Sequence, residues 1–484
     1  MGSQQIDLLK QIKNNFRDSG DFSHKHITIK DKNIDILYFS SLISEEKIIE
    51  NFIPIATKLE GTYFQEYINN IKNFQTNDYQ QAVKGLLSGH LGVFIEKKDE
   101  IILVNMSNPI HRSVEEPKSE LVVRGSHSGF IENLTANIQI LRTLLNDSRL
   151  VVHKQELGAK TKINIALVYR EDIVNQEILT ELKRRLSYMN LETDILINPG
   201  FIEEFIEDNP FTVFPQVLYT ERPDRVGANI MDGRIAIMTE GSPAVLIVPA
   251  TFFVFYQSPD DINSRWTTAT FIRLLRMVSF VIAIIFPSIY IGVVSFHLEV
   301  LPNELIIPMQ NAVEDIPYPP IIEAFIMELT IELIREAGIR LPTPISQTIG
   351  IVGGLVIGDA VVRAGLISNS MVVVVAITAI SSFVVPSNEL SAAVRLLRFP
   401  LMLIAATFGF VGIVFGFILI LVNLCKLESF RVPYFYPFGP LRIRGLMDTI
   451  VRVPLWLMKE RPQDTMPKKK RIISWVRGWD KNEK

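Results

Sequence analysis

The chain has 484 residues, of which 48% are hydrophobic and 21% charged, with a formal net charge of −3 and a mean hydropathy of +0.23. It is too apolar for an ordinary soluble protein of this length, and its one cysteine, Cys425, excludes an internal disulfide framework and a Cys-based metal site. Residues 1–270 carry charges throughout, whereas residues 277–425 contain several charge-free runs. The sequence therefore predicts an α/β soluble N-terminal region of two duplicated lobes, followed by an all-α polytopic membrane domain.

The first predicted lobe, residues 1–108, alternates strand and helix patterns. Two strands are predicted at Ile27–Lys30 and Ile34–Phe39, and a helix at Glu45–Lys58. The second predicted lobe, residues 161–268, has a strand at Ile163–Tyr169 and a helix at Glu177–Tyr188. Both regions therefore read as small α/β units.

The two lobes resemble each other in sequence. Asn33–Tyr38 aligns with Asn164–Tyr169 at an offset of 131 residues, and Gly85–Ile95 aligns with Asn229–Thr239 at an offset of 144. Each of the second pair reads as a helix end, a glycine and a strand. We therefore expect a duplication, which suits ligand capture between lobes and structural scaffolding equally well.

A connector is predicted at residues 109–160, with a helix from about Phe130 to Leu145. Charges are dense at its start and again in Thr220–Arg225 of the second lobe. Two interpretations stay open for these charges, a buried ion-pair network between the lobes and a ligand site. The candidate residues are Glu116, Arg124, Glu221, Arg222 and Asp224.

The predicted transmembrane domain covers residues 269–426. Its apolar runs are Met277–Leu298, Ala364–Asn388, Phe399–Cys425 and a shorter one, Leu341–Gly358. Four crossings are predicted, and the first starts in the cytoplasm because Arg273 and Arg276 precede it. The same count puts Arg395 and Arg398 on the opposite side, against the positive-inside tendency.

Three glycines, Gly350, Gly354 and Gly358, follow each other at four-residue spacing in the shorter run. Glycines on one helical face let two helices approach closely, so helix packing is the first interpretation. A hinge or a pore-lining face is the alternative.

The segment Pro320–Arg340 has helical periodicity and carries several carboxylates among apolar residues. Ionisable groups in membrane segments usually face a protein interior or a water-filled cavity, and acidic rings attract cations. Candidate pathway or gating residues are Glu323, Glu328, Glu332 and, further on, Asp359. Alternatively residues 320–337 form an amphipathic or re-entrant helix with its acids in water.

The predicted tail, residues 427–484, is basic, as the 14 Lys and Arg residues after Cys425 outnumber six Asp and Glu. Such a tail is expected in the cytoplasm beside the lipid bilayer, and the absence of an N-terminal apolar signal predicts a cytoplasmic N-terminus too. Interleaved stacking aromatics are few, so nucleic-acid binding is not expected.

Enzyme chemistry finds little support. Phosphate loops, nucleophile elbows and zinc-binding His-Glu-x-x-His spacing are absent from the sequence, and the seven histidines are scattered apart from His24 and His26. We therefore expect neither a catalytic site, nor a metal, nor a cofactor.

Several ordered motifs resemble the A subunit of GerA-type spore germination receptors. The match spans about residues 20–430, and the motifs are Ser113–Gly125, Thr220–Asp224, Asp232–Ile237, Gly241–Pro243, Met327–Pro342, Gln347–Gly354 and Leu396–Pro400. The chain departs from the family pattern at Ser126–Ser128 and at Glu240, which affects local loops.

This resemblance implies a subunit of a nutrient-sensing receptor in the inner membrane of endospores. Its implied partners are a transporter-like B subunit, a lipoprotein C subunit and further copies of itself in a pentamer. The resemblance also implies that the oligomer is a nutrient-gated cation channel. A non-conducting scaffold or relay subunit whose lobes bind a ligand or partner is the alternative.

Overall fold

The computed structural model describes residues 2–29, 32–56, 74–95, 100–107, 124–189, 198–314, 316–342 and 358–472, with positions 117, 120, 122, 345, 350, 351 and 354 between them. Within these residues two α/β lobes precede a helical bundle. A short C-terminal segment then returns to the second lobe.

The first lobe contains a five-stranded antiparallel sheet with helices against it. Its strands are β1 (Phe22–Ile29), β2 (Lys32–Phe39), β3 (Phe74–Thr76), β4 (His90–Ile95) and β5 (Ile101–Asn105). Its helices are α1 (Gly2–Asn15), α2 (Glu45–Lys47), α3 (Ile53–Ala56) and α4 (Tyr79–Leu87), and a π-helical turn, Ile48–Phe52, joins α2 to α3. The sheet order is β1-β2-β4-β5-β3.

The second lobe repeats this arrangement. Its strands are β6 (Leu150–Leu157), β7 (Ile163–Arg170), β8 (Leu218–Thr220), β9 (Ile235–Thr239) and β10 (Val245–Val248), in the order β6-β7-β9-β10-β8. Its helices are α5 (Leu134–Leu145), α6 (Gln176–Tyr188), α7 (Pro199–Ile206), α8 (Pro223–Met231) and α9 (Pro259–Asn263).

The two sheets share one topology, since each strand of the first sheet has its counterpart five strands later in the chain. The strands that the sequence aligned, β2 with β7 and β4 with β9, occupy equivalent positions in the two sheets. The internal resemblance therefore corresponds to two copies of one structural unit.

A buried ion pair joins the lobes. Arg142 of α5 donates through Nε and Nη2 to the two carboxylate oxygens of Asp21, at 2.9 and 2.7 Å, and both side chains are inaccessible to solvent. Ser19 and Ser41 also donate to Asp21 at 2.7 and 2.8 Å. Burial alone raises the pKa of Asp21, but Arg142 and these hydroxyl groups together hold it below its usual 3.8.

The helical part is dominated by two long apolar helices, α10 (Trp266–Phe296) and α15 (Asn388–Lys426), both long and apolar enough to cross a membrane. The other helices are α11 (Asn303–Glu314), α12 (Pro320–Arg340), α13 (Gly358–Arg363) and the apolar α14 (Asn369–Phe383). Pro287 lies inside α10 and Pro400 inside α15.

Helix α15 folds back on itself at Gly409, where φ is +58° and ψ is −141°. A Cβ placed on Gly416 would lie 2.5 Å from the Leu401 side chain, whereas fifteen residues of straight helix would separate these positions by about 22 Å. Residues 388–408 and 410–426 are therefore antiparallel arms of a hairpin. The sequence predicted one straight span here.

Both ends of this hairpin lie beside the second lobe. Leu390 and Leu424, one in each arm, belong to the same buried cluster as Phe252 and Tyr434. The turn lies at the other end of α10, where a Cβ on Gly409 would lie 3.2 Å from His297. We call these the lobe end and the distal end of the bundle.

This arrangement corrects the expected direction of the chain. Helix α14 starts at the distal end, because Ser368 contacts Tyr290, and it finishes at the lobe end, where Ser391 donates to the Ser382 carbonyl. Arg395 and Arg398 therefore lie in the arm that leaves the lobe end. The sequence interpretation put them on the far side because it took residues 364–388 to run outward.

The C-terminal segment packs on the second lobe. It contains β11 (Glu428–Ser429), β12 (Val432–Pro433) and α16 (Ile443–Thr449). Asp464 pairs with the buried Arg234, and Lys468 donates its backbone N–H to the Ile173 carbonyl at 2.9 Å. The basic run at Lys468 therefore lies against the lobe.

Candidate functional site

The charged residues of α12 lie inside the bundle. Glu323 is almost fully buried at the distal end, where its Oε1 accepts hydrogen bonds from the backbone N–H and the hydroxyl of Ser368, both at 2.5 Å. Ser368 also caps α14 and contacts the Tyr290 hydroxyl at 2.9 Å. One carboxylate therefore links α10, α12 and the start of α14.

Two ion pairs connect α12 to the first arm of α15. Glu328 pairs with Arg398, and both side chains are buried. One turn further on, Oε1 of Glu332 accepts from Nε of Arg395 at 2.9 Å, and Arg395 also donates to Ser391. These arginines were missed as site residues. The available signal was their position just before an apolar run.

Arg335 completes the set at the lobe end. Its Nη2 donates to the Ser382 hydroxyl at 2.8 Å, and its guanidinium lies 3.9 Å from the centre of the Phe383 ring. Several buried polar atoms of the set have no hydrogen-bond partner among the described residues, namely Glu323 Oε2, Glu328 Oε1, Arg398 Nε, and Nε and Nη1 of Arg335. Such atoms are costly in a dry interior, so the set is suited to binding a further polar species.

The opposite face of α12 is apolar and exposed. Leu329 and Leu333 are 56% and 63% exposed, and Ile322 and Ile326 also face outward. This is the reverse of a helix on a soluble protein, which buries its apolar face and exposes its charges. The surroundings that suit this face are lipid or another apolar surface.

The remaining candidates of the helical part are more exposed. Asp359 forms an exposed ion pair with Arg363 at 2.8 Å, one turn away in the same helix. A Cβ added to Gly350, Gly354 or Gly358 would meet no described atom within 4 Å. Among the described residues, nothing packs against the face of these glycines.

The charged residues of the connector and the second lobe come together. Arg222 is fully buried, pairs with Asp224 at 2.8 Å and donates to the carbonyls of Glu120 and Ser126. Arg124 makes backbone contacts with α9, accepting from Asn263 at 2.8 Å. These described contacts fasten the connector to the second lobe. Contact with the first lobe is made instead by the buried Arg142.

The remaining two candidates of this group are Glu221 and Glu116. The backbone carbonyl of Glu221 accepts from the Phe130 N–H at 2.9 Å. Glu116 lies outside the described residues. Glu120, which is not among the candidates from the sequence, also belongs to this charged group. Its carboxylate binds Arg225 at 2.6 Å and the Thr220 hydroxyl at 2.7 Å.

A cavity of about 820 Å³ lies between the second lobe and the C-terminal segment. Arg234 of the lobe and Asp464 of the C-terminal segment line it, together with the apolar Leu441 and Ile443. Among the described residues, no group of three or more His, Cys, Asp or Glu side chains could hold a metal ion.

Comparison with known proteins places these features in a family. The family model described as Bacillus/Clostridium GerA spore germination protein matches residues 10–464. Spore germination protein KA of Bacillus subtilis is 35% identical over 471 residues, covering 96% of this chain and 84% of that protein.

Two further relatives come from the same organism. Spore germination protein A1 is 37% identical over 431 residues, covering 88% of each chain. The uncharacterized membrane protein YfkQ is 39% identical over 434 residues, covering 88% of this chain and 84% of that protein.

Among solved structures, the N-terminal domain of the A subunit of the Bacillus megaterium spore germinant receptor GerK3 matches with a TM-score of 0.39 and 24% identity, covering 50% of this chain and 94% of that domain. The family model spans nearly the whole chain, and relatives at this identity cover most of it. This chain therefore belongs to the GerA spore germination protein family.

Proposed function

We propose that this chain is the A-type subunit of a spore germinant receptor and that its helical part oligomerises into a nutrient-gated cation channel. The observation that carries the channel proposal is the inverted α12, with acids and arginines inside the bundle and leucines outside. Ionisable side chains that are buried within membrane segments commonly mark ion pathways.

The proposed location is the spore inner membrane, with the N- and C-terminal parts in the cytoplasm. The support is geometric, because the first residues of α10, both ends of the α15 hairpin and the C-terminal segment all lie at the lobe end. A chain that enters and leaves at the same end crosses an even number of times. Arg273, Arg276 and Arg395 then belong to the cytoplasmic half, as positive charges prefer, and Arg398 lies near the middle of its arm, paired with Glu328.

In the proposed mechanism the ion pairs of α12 act as a gate. Glu328 and Glu332 are neutralised by Arg398 and Arg395 in this structure, so they would not attract a cation while α12 stays in place. A shift of α12 away from α15 would free both carboxylates. Glu323 and Glu328 already hold oxygens without a described partner, which could then coordinate a passing cation.

The proposed partners are a transporter-like B subunit, a lipoprotein C subunit and further copies of this chain in a pentamer. The exposed leucine face of α12 and the open face of Gly350, Gly354 and Gly358 offer surfaces for neighbouring helices. The chain acts without catalysis, cofactor or nucleic acid in this proposal.

The test is to record currents through the assembled receptor in planar bilayers with Glu328→Gln and Glu332→Gln combined. Loss of both carboxylates leaves the arginines unpaired and positive, so we expect a nutrient-evoked current that is smaller and less selective for cations. Glu336→Gln is the matched control, because Glu336 lies on the same helix but pairs with Arg340 at the exposed surface. Equal currents in all three receptors, at equal receptor levels, would remove these residues from the pathway.

A second function is favoured by the same ion pairs. Because each acid has an arginine partner, the set equally suits a rigid, non-conducting subunit that relays a signal from ligand-binding lobes. Nutrient binding to the lobes, measured by calorimetry, together with a complete absence of nutrient-evoked current, would favour this relay.

A further inference from the structure

Residues 441–457, which we call the C-terminal belt, carry an unusual number of exposed apolar side chains. The most exposed are Ile443 and Leu441, at 72% and 66%, and Met447, Leu455 and Leu457 are also more than half or nearly half exposed. Trp456 lies among them in a short 3-10 helix. Several exposed apolar side chains in one short segment of a folded protein are typical of an interaction site.

The belt is fixed at the base of the apolar helix α10. The Thr270 hydroxyl donates to the Arg452 carbonyl at 3.2 Å, and Arg452 donates to the Ile262 carbonyl at 3.1 Å. Arg273 also donates to the Asp448 carbonyl. Three contacts therefore hold the belt level with the first two turns of α10.

The belt also continues an apolar surface of the bundle. At the same level α10 exposes Trp266, Phe271 and Leu274. From this level upward the outward-facing residues of α10 are apolar, whereas the lobe below carries exposed charges. The belt thus lies where the surface changes from polar to apolar.

Charge indicates what covers the belt. Residues 441–459 contain four basic residues and one acidic residue. Arg442 at the start of the belt and Lys459, two residues beyond its end, are both exposed, whereas the acidic Asp448 lies near Arg273. Exposed apolar side chains together with tryptophan and basic residues are the composition of a segment lying in the headgroup region of an anionic membrane.

We propose that the C-terminal belt is a membrane-interface anchor, which inserts its apolar side chains at the headgroup boundary of an anionic lipid leaflet. The anchor would hold the second lobe and the C-terminal segment at a fixed height against the bilayer. The proposal rests on the proposed function in one respect, namely that α10 crosses this bilayer.

The test uses the full chain reconstituted in vesicles of phosphatidylcholine and phosphatidylglycerol, with Trp456 as the remaining tryptophan after Trp266, Trp475 and Trp479 are changed to Phe. Phospholipids brominated near the headgroup should quench Trp456 fluorescence more strongly than phospholipids brominated near the chain end. Acrylamide in the water should quench it weakly. Omitting phosphatidylglycerol should reduce the lipid quenching of Trp456 in the parent chain. The same omission should have a smaller effect when Arg442 and Lys459 are changed to Gln.

Two reference positions separate the possible failures. Phe211→Trp, in a fully exposed loop of the second lobe, reports water, and Val281→Trp, on the exposed face of α10, reports the bilayer core. The anchor proposal is wrong if lipid and acrylamide quench Trp456 as they quench the tryptophan at position 211. If position 281 is quenched by lipid in that experiment, the membrane proposal survives, and if it is not, both proposals fail together.

Discussion

Replacing Arg142 by Met should loosen the contact between the two lobes. The substitution leaves the Asp21 carboxylate fully buried, with Ser19 and Ser41 as described donors but without its cation. Breaking a buried pair by removing one partner costs about 3–5 kcal/mol. We therefore expect the free energy of unfolding of the α/β part to fall by about that amount.

The size of this effect follows from the geometry of Arg142. Its guanidinium makes two hydrogen bonds to Asp21, one to Ser19 and one to the Leu150 carbonyl, and it lies 4.7 Å from the centre of the Phe39 ring. All of these except Leu150 belong to the first lobe. The Arg142 side chain therefore forms hydrogen bonds both within its own lobe and to the neighbouring lobe.

The assay is urea unfolding of the full chain in detergent, followed by hydrogen exchange of strands in each lobe. Arg149→Met is the matched control, because Arg149 pairs with Asp147 and Asp172 in the same lobe while its side chain is 45% exposed. Exposed pairs contribute about 0–1 kcal/mol, so this variant should unfold almost like the parent. Equal losses in Arg142→Met and Arg149→Met would refute the reasoning.

Three further predictions concern single positions. Ser368→Ala should destabilise the bundle more than Ser387→Ala, since each loses a helix cap of about 1 kcal/mol but only Ser368 also binds a buried glutamate; thermal unfolding compares them. Gly409→Ala should cost more than Gly241→Ala, because both have positive φ, a strain of about 1–2 kcal/mol, but only at Gly409 would the new Cβ be crowded. The contribution of the ionised Asp21 carboxylate to the free energy of unfolding should be fully present above pH 3.8 and should be lost as the pH falls through its lowered folded-state pKa. Unfolding measured over the same pH range should show no such loss in Asp21→Asn.

Results that contradict these predictions are easily recognised. Equal melting temperatures for the two serine variants would mean that the glutamate contact adds nothing to the cap. Equal stability of the two alanine variants would mean that the hairpin turn has room for a side chain. An acid transition that is unchanged in Asp21→Asn would assign that transition to other carboxylates.

The α/β part was largely predictable from sequence because repeated hydrophobic patterns specify repeated strands. The offset of 131 residues between Asn33 and Asn164 correctly identified β2 and β7 as equivalent strands. The short strands β3 and β8 were missed, since three residues carry almost no periodic signal. The pair of Asp21 and Arg142 was missed because its partners lie 121 residues apart.

The hairpin of α15 could not be recognised from hydropathy. Residues 399–425 contain no charged side chain, and a straight span and a tight hairpin have the same composition. The difference lies in the backbone at Gly409 and in the close approach of Gly412 and Gly416 to the opposite arm. The acids of α12 were identified as candidates, but their arginine partners depend on how this hairpin folds.

The central claim is that the helical part conducts cations when the receptor binds nutrient. The most direct measurement is the reversal potential of the reconstituted wild-type receptor under a potassium chloride gradient, before and after adding a mixture of amino acids and sugars. The account predicts a current that appears only with nutrient and reverses near the potassium equilibrium potential. A receptor that binds nutrient and passes no current, or a current that reverses near the chloride potential, would contradict it.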